Sequence, residues 1–204
     1  MVLASSRTPP RRRRLATAGL AIGVLLVAVT GCSGDDDPAT PTAPAAAEPT
    51  PLADYDTSGL ALVRGDFCER VPADAVAAAL DGEATDAASW RPGVRLPGTR
   101  DISNEFGCSW TDGSATARAW VFAPPITASR ASDFVSETVG KGCRRLRSAP
   151  DLGSPSVAQQ CDDSTGFHGL VGDAWVGCEV SAAATDEDLV GEWCVAVLEA
   201  LRTS

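Results

Sequence analysis

Six of the seven cysteines, Cys68, Cys108, Cys143, Cys161, Cys178 and Cys194, are strung along the chain beyond Cys32, and no two of them stand two to four residues apart. That spacing argues against zinc, whose structural sites draw thiolates from tight pairs, and only His168 is available to assist. The absence of a Cys-x-x-Cys step likewise removes thioredoxin-like redox chemistry and covalent haem. An even set of widely spaced cysteines in an oxidising compartment reads as three disulfides, which leaves no thiol as a free nucleophile. No metal and no cofactor are expected.

Whether the cysteines meet an oxidising compartment depends on the first 31 residues, which contain no Asp or Glu. Arg11 to Arg14 form a basic block, Leu15 to Val29 an apolar stretch, and Val29-Thr30-Gly31-Cys32 a close of small residues. This is the three-part layout of an export signal. The apolar stretch falls short of the about 20 residues that a membrane-spanning helix needs. Val29-Thr30-Gly31-Cys32 also resembles the lipobox of bacterial lipoproteins, where the last thiol takes a diacylglyceryl group and cleavage follows just ahead of it. Cys32 would then be the first residue of the mature chain, and two acyl chains anchor stably where one is marginal. The alternative is an ordinary cleavage site with a chance cysteine.

Beyond Cys32 the segment to residue 59 holds Pro38, Pro41, Pro44, Pro49 and Pro51 among Ala, Thr and Asp. Proline at this density favours an extended spacer with little to bury. The expected organisation is therefore a lipoprotein signal peptide over 1–31, an acylated cysteine and linker over 32–59, and a folded domain over 60–204. Five of the 17 basic side chains lie in the leader, so the remainder carries 12 − 27 = −15 formal charges. That field repels phosphate backbones and excludes nucleic acid as a partner.

Periodicity within the domain predicts a helix over 72–80, with Pro72 in its first turn and Gly82 past its end. Two strands follow, 105–111 and 114–123, about Asp112-Gly113, and the stretch 83–104 reads as irregular. A second helix spans 128–139, with Ala131, Phe134, Val135 and Val139 on one side. Three strands come next, near 156–161, 166–171 and 174–181, the last two joined at Gly172-Asp173. A terminal helix over 185–201 repeats Leu189, Val190, Trp193, Cys194, Val197, Leu198 and Leu201 at three- and four-residue spacing, with Thr185 and Asp188 as a capping pair. The fold class is α+β, a mainly antiparallel sheet in the order α-β-β-α-β-β-β-α with packed helices, stapled by three disulfides.

The pairing of the cysteines is not decided by count, but periodicity narrows it. Alternation sets Val176, Cys178 and Val180 on one face of the last strand, and the terminal helix packed on that face brings Cys194 to Cys178. Cys68, beside the first helix, meets Cys108 in the strand below it, which leaves Cys143 with Cys161. If both hairpins turn on two residues, Phe106, Cys108, Trp110, Ala117, Ala119 and Val121 share that disulfide face with Phe167 and Val171. The opposite face collects Trp120, Phe122, His168, Leu170, Trp175 and Glu179. These six residues are the candidate binding face: aromatic anchors with one imidazole and one carboxylate suit a ligand cleft or a partner surface. Alternatively, a helix or the 83–104 segment covers them as a second core layer.

Cys68-Glu69-Arg70-Val71, leading into the alanine-rich helix that ends at Gly82, and Cys108-Ser109-Trp110 further on resemble small actinobacterial envelope lipoproteins of the family named domain of unknown function 3558. The resemblance covers roughly residues 65–201, and Phe67 stands where a proline often precedes the first cysteine. It implies location in the cell envelope and a bridge from Cys68 to Cys108; it carries no activity.

No Gly-x-Ser-x-Gly elbow, His-Glu-x-x-His helix, phosphate loop or dinucleotide fingerprint occurs in the chain. His168 is the only imidazole, and Asp162-Asp163 reads as a turn. The expected function is a non-enzymatic ligand- or partner-binding accessory domain, lipid-anchored on the extracytoplasmic face of the membrane. The competing readings are an envelope hydrolase with an unrecognised active site and a structural subunit of an envelope assembly.

Overall fold

In the computed structural model the described residues are 49–95, 100–139, 142–181 and 186–203. The leader, Cys32 and Thr185 lie outside them. The elements run α1 (Ala73–Leu80), β1 (Asp86–Trp90), β2 (Glu105–Thr111), β3 (Thr116–Phe122), α2 (Ala128–Thr138), β4 (Arg144–Arg145), β5 (Ser156–Gln160), β6 (Ser164–Val171), β7 (Ala174–Ser181) and α3 (Glu187–Leu201). Every pairing is antiparallel, in the spatial order β1-β2-β3-β7-β6-β5-β4, so the α+β class and the order of the expected elements hold. Two edge strands were missed. The Asp-Ala-Ala-Ser-Trp of β1 lies in the stretch read as irregular and lacks β-branched residues, and β4 spans only two arginines, too few for an alternating pattern to show.

Local chemistry explains the ends of the elements. Asp81 takes the left-handed conformation at φ 56° after α1, while the Gly82 N–H reaches the Ala77 carbonyl at 3.0 Å and closes the helix. The Thr127 hydroxyl accepts from the Arg130 N–H to start α2, and the Asp186 carboxylate accepts from the Asp188 N–H to start α3, the expected cap at Thr185 being outside the described residues. The first hairpin has four connecting residues, with Thr111 opposite Thr116; the Asp112 carboxylate accepts from the Ser114 and Ala115 N–H groups within it. A two-residue turn would have put Thr111 opposite Ser114. The difference of two leaves every side chain on its expected face, because the pleat repeats every second residue. The second hairpin turns on Gly172-Asp173 as expected, with Val171 opposite Ala174.

One face of the sheet builds the main core. Cys108, Ala119, Cys178 and Phe167 form a row across four strands, all of them buried. α3 packs over β6 and β7 on this side and also touches α1. Trp193 of α3 meets Trp110 edge to face at 5.4 Å, and its indole N–H donates to the Arg118 carbonyl at 3.1 Å. The three bridges are Cys68–Cys108, Cys143–Cys161 and Cys178–Cys194, the pairings that periodicity favours. The first ties the turn before α1 to β2 and the third ties β7 to α3. Cys143–Cys161 joins the stretch after α2 to the end of β5 and flanks the β4–β5 pairing.

The domain begins earlier than residue 60. Leu52 lies in a single helical turn, is 3 % exposed, and packs in the main core, where a side chain on Gly191 of α3 would press on it. The Tyr55 hydroxyl donates to the Glu199 carboxylate of α3, and burial together with this bond raises the phenol's pKa. Proline content hid this contact, because one leucine and one tyrosine among small residues give no periodicity. Replacing Leu52 by Ala should destabilise the domain by about 2 to 5 kcal/mol, read as a lower denaturant midpoint. An unchanged midpoint would restore residue 60 as the boundary.

Candidate functional site

The second face of the sheet is covered over part of its area. α2 packs on β5 and β6, and its Ala131, Phe134 and Val135 meet Leu170 and Trp175 in a small separate apolar cluster. Leu170 is 7 % exposed and Trp175 3 % exposed, so these two members of the candidate face are core residues. The one-sided apolar stripe of α2 is the reason, since it has to be buried against something and the aromatic face lies next to it. Glu179 stays half-buried one row further along, opposite Arg118 in the register.

Where α2 ends, the remaining residues of the face form a cleft of about 250 Å³. Trp175 and His168 are its most buried members, Trp120, Phe122 and Phe134 are half-buried, and Glu137 is exposed at the rim. The rings touch in two groups. Phe122 and Phe134 centroids are 5.3 Å apart, Phe134 and Trp175 5.3 Å, and Trp120 and His168 5.4 Å, all tilted. Four of the six residues of the expected face therefore line one cleft: Trp120, Phe122, His168 and Trp175. Phe134, Glu137 and Thr138 complete it from α2. The periodicity of α2 marked Phe134 as inward-facing, but nothing local in the sequence says which sheet face it meets.

Trp120 is held by an absence. It lies across Gly177 in β7, where a Cβ would overlap the indole, and Trp90 lies across Gly107 in β2 in the same way. A glycine in mid-strand weakens the strand, and an aromatic ring laid over it recovers contact. Either glycine replaced by alanine would push its indole off the sheet. Trp90 further donates to the Glu105 carboxylate at 3.2 Å, and burial raises that carboxyl's pKa, with the indole bond opposing the shift.

His168 is 6 % exposed, and burial lowers its pKa to about 4. The imidazole is thus neutral at neutral pH. Its polar neighbour is the Gln159 side chain, whose amide nitrogen stands 3.4 Å from Nε2. A carboxamide does not accept a proton in the way that the carboxylate of a catalytic triad orients and stabilises an imidazolium. Among the described residues no group of His, Cys, Asp and Glu is arranged to hold a metal ion. No family model matches this chain, and no curated protein matches it.

Two measurements check this geometry. Trp175→Ala should cost about 3 to 5 kcal/mol, because the ring is packed beneath α2 and its loss leaves a cavity; a melt within a degree or two of wild type would place Trp175 in an open site instead. His168 has a folded pKa of about 4 against 6.5 for the free side chain, so the unfolded chain binds the extra proton between those values. Stability should then fall as pH drops from 6.5 towards 4, by up to about 3 kcal/mol. His168→Gln should flatten that part of the stability profile, and equal slopes in both proteins would contradict a buried neutral imidazole.

Proposed function

We propose that this chain is a lipid-anchored lipoprotein of the extracytoplasmic membrane face whose disulfide-stapled domain binds a ligand and performs no chemistry on it. The far-face cleft carries the reading: aromatic walls close on a buried imidazole that has an amide for its polar neighbour. A hydrolase at the same place would need a base whose pKa lies near the working pH, and burial pushes His168 well below it. A pocket lined mainly by apolar rings with a few fixed polar groups is instead the usual make-up of a binding site.

The anchor and the envelope location rest on the leader and on Cys32, and three bonded cysteine pairs support an oxidising compartment. Membership of the envelope family named for domain of unknown function 3558 is part of the same proposal, supported by the Cys68–Cys108 bridge that the resemblance implies. Within this reading the proline-rich stretch ahead of the domain is a spacer that lets the cleft face the wall-side space.

Cys32→Ala should abolish acylation and leave an unprocessed precursor of higher mass, visible by mass spectrometry of membrane fractions. Cleavage at the same bond in the variant, together with a wild type lacking acyl mass, would overturn the lipoprotein assignment. Native mass spectrometry of the domain taken from its own envelope addresses the binding half: a copurifying small molecule supports it, and a stoichiometric protein without one would favour a structural subunit.

A further inference from the structure

We infer that the far-face cleft is an aromatic cage for a small organic cation, an alkylated ammonium group in chemical class. This deepens the ligand-binding reading above and rests on it. Trp120, Phe122, Phe134 and Trp175 line one cleft of about 250 Å³, the size of a small headgroup. The face of an aromatic ring carries negative quadrupolar potential, so rings gathered around one space attract a cation and offer a hydrogen-bonding anion nothing.

The charges around the cleft point the same way. Among the described residues Glu137 is the one charged group that lines it. Arg118 and Glu179 face one another one row away on the sheet, opposite in sign. Arg130 of α2 does not line the cleft, but its guanidinium sits 4.4 Å from the Phe134 centroid and 4.0 Å from the Glu137 carboxylate. One ring of the cage and the rim carboxylate thus already attract a cation of the protein itself. With 12 basic against 27 acidic side chains outside the leader, the surrounding field favours a positive ligand. His168 on the floor adds a polar edge and, being neutral at neutral pH, no repulsion.

A quaternary ammonium suits this site better than a primary amine. Its methyl groups fill the apolar volume, its charge is spread over them, and it does not require hydrogen-bond acceptors that the four rings lack.

The test is calorimetric titration of the full chain in a maltoside detergent with choline, and with 3,3-dimethylbutan-1-ol, in which carbon replaces the nitrogen. Choline should bind at least about tenfold more tightly than the neutral alcohol. Glu137→Gln, at an exposed position, should weaken choline several-fold and leave the alcohol unchanged, while Trp120→Ala should weaken both. Vesicles of phosphatidylcholine, set against vesicles of phosphatidylglycerol because an acyl anchor enters both, distinguish a lipid headgroup from a free cation, and a preference for the first keeps the cage as choline binding does. Equal affinity for choline and the alcohol would overturn the cation while leaving a ligand cleft in place. No binding of choline or the alcohol at millimolar concentration, with no preference between the vesicles, would remove both.

Discussion

The apolar stripe of α3 pressed onto β6 and β7 is the contact on which the rest of this domain depends. Val190, Trp193, Cys194, Val197, Leu198 and Leu201 are buried there together, against a sheet face that offers Phe167, Val176, Cys178 and Val180. The Cys178–Cys194 bridge lies inside this contact and restricts the unfolded chain at the place where the folded one is most tightly packed. The same helix reaches back to α1 and to the turn at Leu52, so the earliest described part of the domain and its last helix are held by one core.

A sheet with large apolar residues on both faces cannot stop at two layers. α1 and α3 cover the first face, and α2 covers the second mainly over β5 and β6, with Phe134 reaching Phe122 and Trp175. The uneven cover has a functional consequence. Leu170 becomes core and Trp175 is buried beneath α2 at the edge of a cleft, which Trp120 and Phe122, of the same alternation, line at the end of α2. The glycines at 107 and 177 let two indoles lie flat on the sheet, and flat-lying rings leave the space above them open. His168 sits at the boundary between covered and open, near enough to the cleft to line it and buried enough to stay uncharged.

Much of this was legible in the residues. Alternation assigned Cys108, Cys178 and Trp120 to their faces even though the first hairpin has four connecting residues, because an even change in loop length preserves the pleat. β1 and β4 were not legible, since a strand of Asp, Ala and Ser or of two arginines carries no period-two signal and forms because the neighbouring strand presents an edge. Leu52 was hidden for a related reason: one apolar residue in a proline-rich stretch looks like linker until the groove that receives it is known.

What the sequence determined by itself was the covalent and periodic plan: six cysteines for three bridges, three amphipathic helices and a mainly antiparallel sheet whose two faces both carry apolar residues. These features are local, set by composition and by repeats of two and 3.6 residues. Only the tertiary structure decided how far α2 extends over the aromatic face, and therefore which residues of that face are core and which line a cleft. That choice depends on the crossing of a helix over strands distant in the chain, and burial, the quantity that sets both the stability of Trp175 and the charge of His168, exists only once those elements meet.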